Sequence, residues 1–218
     1  GIYMKFSAII TAGGTSSRFG NKNKLLEKIN DKEVIRYTID AFQASRVDEI
    51  IICSHISIME ELREIFKDYI KVRITEGGET RQKSVYKGLL ACDCDYVIIH
   101  DGARPMVSVD MVNNCIEMVK DMRALTVATK TIDTIKEVEN GKIVRTIDRA
   151  KLYNTQTPQA FEYDLIRKAH EKLMERNFTD DAGMLEVLGE KVYILDGSYK
   201  NIKITTQIDI EIAKIFLR

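Results

Sequence analysis

Five short segments of the sequence carry groups that could bind phosphate or a divalent cation. The first is Thr11-Ala-Gly-Gly-Thr-Ser-Ser-Arg-Phe-Gly-Asn-Lys-Asn-Lys24. Gly13 and Gly14 would let the backbone approach a ligand and aim N–H groups at an anion. Arg18 and Lys24 would add full positive charge in the same loop. The spacing is neither that of a P-loop nor that of a dinucleotide-binding turn. A glycine turn alone reads equally as a strand-to-helix connection; the two cations favour phosphate binding. The second segment, Glu76-Gly-Gly-Glu-Thr-Arg-Gln-Lys-Ser84, repeats the theme with Gly77 and Gly78. It places Arg81 and Ser84 in the first turn of the next helix, an end that favours anionic groups. It also reads as an ordinary helix start.

The third segment is His100-Asp-Gly-Ala-Arg-Pro105. Asp101 stands where a magnesium ligand would be needed, since Mg²⁺ takes one or two carboxylates and completes its shell with substrate phosphates. The competing reading is a turn or helix cap. Arg104 offers a forked donor to a phosphate. His100 reads as structural, because no Ser or Cys partner accompanies it. Asp148-Arg149 with Tyr153-Asn-Thr-Gln-Thr-Pro-Gln-Ala-Phe161, and Asn201-Ile-Lys-Ile-Thr205, are weaker signals. In the last, alternation suggests a short strand aiming Asn201 and Lys203 to one side; Lys203 by itself is an unremarked surface lysine in most proteins.

These segments follow short apolar runs that alternate with helical patterns. Strands are expected at Phe6–Ile10, Glu49–Cys53, Lys71–Ile74, Tyr96–His100 and Ala124–Ala128. Helices are expected over Glu33–Ala44, Ile58–Tyr69, Gln82–Ala91 and Val109–Met122. Such alternation implies βαβ units and a mostly parallel sheet, with ligands bound beyond the C-terminal strand ends. The pattern then breaks. Asn140-Gly141 lies between two alternating segments over Thr134–Thr146, a hairpin signal requiring positive φ at both central residues. An isolated Ile/Val hairpin is marginal in water, so a second subunit is expected to cover it. Regular structure resumes with helices near 162–176 and 180–188, a strand at 191–195 and a closing helix around 207–217.

With 218 residues, two prolines and no low-complexity linker, the chain reads as a single domain over 1–218 with an arm at about 131–156. Lys+Arg and Asp+Glu both number 33, which argues against a nucleic-acid binder. No apolar run suits a membrane span, and the N-terminal run lacks a signal-peptide layout. Four cysteines without zinc-ligand spacing fit a reducing, cytoplasmic setting.

Taken in order, these segments together with Thr179-Asp-Asp-Ala182 resemble the 2-C-methyl-D-erythritol 4-phosphate cytidylyltransferase family, from about Phe6 to the C-terminus. The sister family is ribitol-5-phosphate cytidylyltransferase. The resemblance implies an α/β, Rossmann-like nucleotidyltransferase fold with a protruding β-hairpin arm exchanged across a homodimer. It implies that CTP and a sugar-alcohol phosphate react with Mg²⁺ to give a CDP-alcohol and pyrophosphate, a step of isoprenoid precursor synthesis. By position it makes Ala12, Gly13, Gly14, Gly78, Glu79, Arg81 and Ser84 nucleotide-binding. Arg18, Lys24 and Lys203 become the catalytic cations, and Asp101 the metal ligand. Arg104, Thr134 and Arg149 become acceptor-binding, the last two from the partner's arm. Asn23-Lys24-Leu25 replaces the family's Pro-Lys-Gln, so Lys22 stands as an alternative to Lys24. Lys200 replaces an acidic residue common before Asn201, which leaves a second protein carboxylate on the metal open. The remaining alternative is a nucleotide-binding module without activity.

Overall fold

A computed structural model of the chain describes residues 3–13 and 23–217. In chain order the elements are β1 (Phe6–Ala12), β2 (Lys28–Ile29), β3 (Lys32–Glu33), α1 (Val34–Ala44), β4 (Glu49–Ser54) and α2 (Met59–Ile65). There follow β5 (Val72–Glu76), α3 (Arg81–Ala91), β6 (Tyr96–Asp101), α4 (Val109–Met122) and β7 (Ala124–Lys130). The second half holds β8 (Ile135–Glu139), β9 (Lys142–Ile147), β10 (Tyr153–Glu162), α5 (Tyr163–Lys172), α6 (Ala182–Val187), β11 (Tyr193–Asp196) and α7 (Gln207–Phe216).

Seven strands form one sheet in the order β11-β7-β10-β6-β1-β4-β5. The four strands from β6 to β5 are parallel. Their central members read as unbroken apolar runs because both faces are covered. Ile35, Ile39, Phe42, Leu62, Val112 and Ile116 from α1, α2 and α4 pack on one face. Val85 and Leu89 of α3, Ile166 of α5 and Leu185 of α6 pack on the other. Helix starts are set by side chains: Thr80 accepts from Lys83 N, Ser108 accepts from Met111 N, and Thr206 with Asp209 forms a capping box. The α/β class, the mostly parallel sheet and the hairpin are as expected from the sequence. Asn140 and Gly141 have φ of 50° and 76°, the conformation the turn requires. The arm strands β8 and β9 pair only with each other, and Val138, Ile143 and Val144 are exposed.

Three expectations are corrected. The helix expected over Ile58–Tyr69 ends at Ile65. Phe66 buries its ring in the core, and the Tyr69 hydroxyl, bonded to Asp40, turns the chain toward β5. Residues 201–205 form no strand: Ile204 N donates to Ala103 O at 2.8 Å, while Ile202 N turns back to Lys200 O. Asn201 is therefore buried, whereas Lys203 reaches the cleft. The third is a strand that the periodicity does not announce. β10 lies antiparallel between β6 and β7, with a break in register between Thr155 and Gln159. That break spans Gln156, Thr157 and Pro158 and directs polar groups of a central strand toward the strand ends where ligands bind.

Candidate active site

The C-terminal ends of β1, β5 and β6 meet above the sheet. Ser84, in the first turns of α3, ties two glycine turns together there. Its hydroxyl oxygen accepts from Gly78 N at 2.9 Å. A Cβ on Gly77 would stand 2.8 Å from the same oxygen, and one on Gly13 would stand 3.2 Å from it. A Cβ on Gly78 would be 2.5 Å from the Lys83 Cβ. Gly78 is therefore glycine for space, since its backbone must pass against the helix start. The result is a cavity of about 160 Å³ whose walls include Gly13, Lys24, Gly78, Glu79, Arg81 and Ser84. Ala12 is buried beside it at the end of β1, and the Glu79 side chain is exposed, paired with Lys83 at 3.5 Å.

Asp101 closes the floor of this cavity, and three cations converge on its carboxylate. Arg81 Nε donates to Oδ1 at 3.1 Å, Arg104 Nε to Oδ2 at 3.3 Å, and Lys203 Nζ lies 3.9 Å from Oδ2. Burial by itself would raise the Asp101 pKa. The charges of Arg81, Lys203 and Arg104 outweigh it and hold the carboxyl well below the ordinary carboxylate range. Arg81 is raised in turn by Asp181 and Asp101, against the opposing effect of burial. A second cavity of about 440 Å³ shares Arg81, Asp101 and Lys203 with the first and continues to Arg104, Thr155, Thr157, Thr179 and Asp180. Asp101, Arg81 and Lys203 are thus the common wall of the two pockets, and Arg104 faces the second.

His100 and Thr157 hold this wall from behind. Asp101 N donates to Thr157 Oγ1 at 3.0 Å, and Thr157 Oγ1 lies 2.9 Å from His100 Nδ1. His100 Nε2 lies 3.1 Å from Arg104 O. A carbonyl can only accept, so Nε2 carries the ring proton, Nδ1 accepts, and Thr157 donates its hydroxyl hydrogen. Burial pushes the His100 pKa down to about 4, so this neutral tautomer persists at ordinary pH. His100 is structural, as its context suggests, and what it structures is the backbone of both Asp101 and Arg104. Asn201 adds a brace, since its carbonyl accepts from Arg104 Nη1 at 2.8 Å and its amide donates to Thr157 O at 2.8 Å.

The structure thus brings together Gly13, Gly78, Glu79, Arg81, Ser84, Lys24, Asp101, Arg104 and Lys203. Thr134 and Arg149 do not join them within this chain: both are exposed at the base of the arm, where Arg149 donates to Ile132 O. Gly14, Arg18 and Lys22 lie outside the described residues. Thr157 and Gln159 lie in a segment that the sequence marks only weakly, and Asp181 lies in the Thr179-Asp-Asp-Ala182 run that enters only through the resemblance; none of the three is singled out as a site residue, and His170 has no sequence signal at all. Among the described residues, no group of three or more His, Cys, Asp and Glu side chains could hold a metal unaided, and no helix is long and apolar enough to cross a membrane.

A family model described as 2-C-methyl-D-erythritol 4-phosphate cytidylyltransferase matches residues 6–218. The chain is 40% identical over 225 residues to the protein of that name from Clostridioides difficile, covering 97% of this chain and 93% of that one. It is 41% identical to that of Caldanaerobacter subterraneus, covering 99% and 100%. The crystal structure of the 4-diphosphocytidyl-2C-methyl-D-erythritol synthase of Anaerococcus prevotii superposes with a TM-score of 0.88 at 34% identity, over 98% of both chains. That of the Thermus thermophilus cytidylyltransferase gives 0.84 at 26% identity, over 99% and 100%. Because the matched span contains both glycine turns, the Asp101 cluster and the arm, the chain belongs to the 2-C-methyl-D-erythritol 4-phosphate cytidylyltransferase family.

Proposed function

We propose that this chain transfers CMP from CTP to 2-C-methyl-D-erythritol 4-phosphate, releasing pyrophosphate. The observation that carries this reading is the shared wall: one carboxylate and two cations, Arg81 and Lys203, stand between a glycine-walled pocket and a larger polar one, and Arg104 adds a third cation on the side of the larger. In the proposed reaction an acceptor phosphate oxygen forms a bond to the α-phosphorus, and the bond from that phosphorus to the β-phosphate bridging oxygen breaks. The acceptor phosphate is already ionised near neutral pH, so no protein base is required. Negative charge grows on the equatorial oxygens and the leaving group, and preorganised cations stabilise it without a covalent intermediate. Lys24, Arg18 and Lys203 are assigned to this charge, with Lys22 as the alternative to Lys24. The first pocket is assigned to CTP. The second is assigned to the acceptor, with its phosphate on Arg104.

Asp101 fits a Mg²⁺ ligand. It is a hard oxygen donor held ionised at the junction of the pockets, and a single carboxylate supplemented by substrate phosphates is the usual Mg²⁺ arrangement. When bound, the ion would neutralise phosphate charge and orient the leaving group. Thr134 and Arg149 are assigned to the acceptor phosphate of the other subunit, through exchange of the arm in a homodimer. The exposed Val138, Ile143 and Val144 support an arm that is covered by a second chain. A cytoplasmic setting is part of the same proposal, supported by four cysteines that are all free.

The test is pyrophosphate release from CTP with each acceptor in turn. Turnover is expected with 2-C-methyl-D-erythritol 4-phosphate. Turnover with ribitol 5-phosphate alone would replace the acceptor assignment, and no turnover with either would return the chain to a nucleotide-binding role.

A further inference from the structure

Arg81 does not belong to Asp101 alone. Its Nη1 donates to Asp181 Oδ2 at 3.0 Å while its Nε donates to Asp101 Oδ1 at 3.1 Å. Asp181 is as buried as a carboxylate can be, with 1% of its side chain exposed. Its other oxygen, Oδ1, accepts from His170 Nε2 at 3.1 Å, and His170 is itself buried and stacked on Tyr86. Gln159, from β10, fixes the backbone: its Oε1 accepts from Asp181 N and from Ala182 N, both at 3.2 Å. Neither Asp181 nor His170 lines the two pockets at the shared wall. A buried, fully partnered carboxylate that touches neither pocket would be an expensive way merely to fill space.

We propose that Asp181, held by His170, is a positioning residue and counter-charge for Arg81 that keeps Asp101 available to a divalent cation. Without Asp181, Arg81 would have one carboxylate left, and a guanidinium paired solely with Asp101 competes directly with a metal for the same oxygens. With Asp181 present, the guanidinium is divided between two anions and cannot turn its whole fork onto Asp101. The electrostatics point the same way. Asp181 is a negative charge one guanidinium away from Asp101, so removing it raises the local potential, which disfavours a cation and favours the triphosphate. The two ligands should therefore respond to its loss in opposite directions, and general damage to the site would weaken both.

This inference rests on the assignment of Asp101 to the metal. The experiment is equilibrium binding of labelled CTP to the full-length enzyme, without acceptor, once in EDTA and once with saturating Mn²⁺. The ratio of the two affinities measures what the metal adds at the site. In Asp181→Asn we expect metal-free CTP binding to be unchanged or tighter, Mn²⁺-loaded binding to be weaker, and the ratio to fall at least tenfold. An unchanged ratio, or an equal loss in both conditions, overturns the inference while leaving the metal assignment standing. A wild-type ratio near one overturns the metal assignment and the inference with it. If Asp181→Asn does not fold, His170→Asn carries the same test, with a fall in the ratio expected and an unchanged ratio refuting it.

Discussion

Replacing Thr157 by Val tests whether the wall behind the site is held by the hydrogen-bond relay described above. Val keeps the volume of Thr and removes only the hydroxyl. In the folded protein Thr157 is 4% exposed and His100 is 0% exposed, so no water can substitute at the ring. Two buried groups lose their partners: Asp101 N–H has no acceptor, and His100 Nδ1 has no donor. An unsatisfied buried polar group costs about 1–3 kcal/mol, and the two share one environment, so about 3 kcal/mol of destabilisation is expected. Thr157→Ser keeps the hydroxyl and removes a methyl, which costs about 1 kcal/mol. Urea unfolding at fixed protein concentration should show the midpoint of the Val variant about 1 M lower for a chain of this size, with the Ser variant close to wild type. Turnover should follow the same order, because the released backbone belongs to Asp101. A Val variant within about 0.5 kcal/mol of wild type, or a Ser variant as unstable as Val, would refute the relay.

The relay also predicts a pH dependence. Folded His100 has a pKa near 4 against an unpaired value of 6.5, so in that window the unfolded chain takes up a proton that the folded chain refuses. Stability should therefore fall by about 3 kcal/mol as pH drops from 6.5 to 4, and urea midpoints for His100→Gln should lose that slope. Asp101 and Asp181, both held low, add their own loss only as pH falls below the ordinary carboxylate range. For the cations proposed to be catalytic, Lys24→Ala should leave the circular dichroism unchanged and lower kcat at least about a hundredfold. Unchanged turnover there, with Lys22→Ala inactive, would transfer the role to Lys22. For the arm, Arg104→Ala and Arg149→Ala homodimers should each be nearly inactive. Their mixture after subunit exchange should recover about a quarter of wild-type activity, because half the dimers are mixed and each mixed dimer holds one intact site. No recovery, or a monomeric mass by light scattering in a fully active sample, would exclude a shared site.

What the sequence made legible follows from which forces act locally. β1, β4 and β6 are buried on both faces, so their apolar runs announce them, and the glycine turns after β1 and β5 announce where the backbone must come close to something. The hairpin is legible because Asn140-Gly141 meets the demand for two positive φ angles between two alternating segments, whereas Asn30-Asp31, which also takes positive φ at both residues, joins strands of only two residues each. β10 is not legible for the opposite reason. Gln156, Thr157 and Gln159 are buried polar residues in a central strand, and Pro158 argues against a strand interior. They are tolerated because each finds a partner: Gln156 Nε2 donates to Ser198 O, Gln159 Nε2 to Thr126 Oγ1, and Thr157 links Asp101 to His100. Those partners are 33 to 57 residues away in the chain, so no local pattern could reveal them. Asp181 was hidden likewise, since its partner Arg81 stands 100 residues earlier.

The formal net charge of zero excluded a bulk electrostatic mechanism, and the site explains how a neutral chain can still be shaped for two phosphate ligands. Three cations gathered without an anion would repel one another and splay toward water. Asp101 prevents this by giving Arg81, Arg104 and Lys203 one carboxylate on which to converge, within 3.9 Å in every case. The convergence is therefore held by the protein's own carboxylate, and fixed charges held in this way stabilise a transition state without reorganising. The same carboxylate could neutralise the cations it gathers, were all three committed to it. Arg81 is drawn back by Asp181, Arg104 spends a second donor on the Asn201 carbonyl, and the Lys203 side chain, 43% exposed, keeps the longest contact. Each cation is held by Asp101 and restrained by something else, so what remains at the wall is an oriented positive field rather than a closed set of ion pairs.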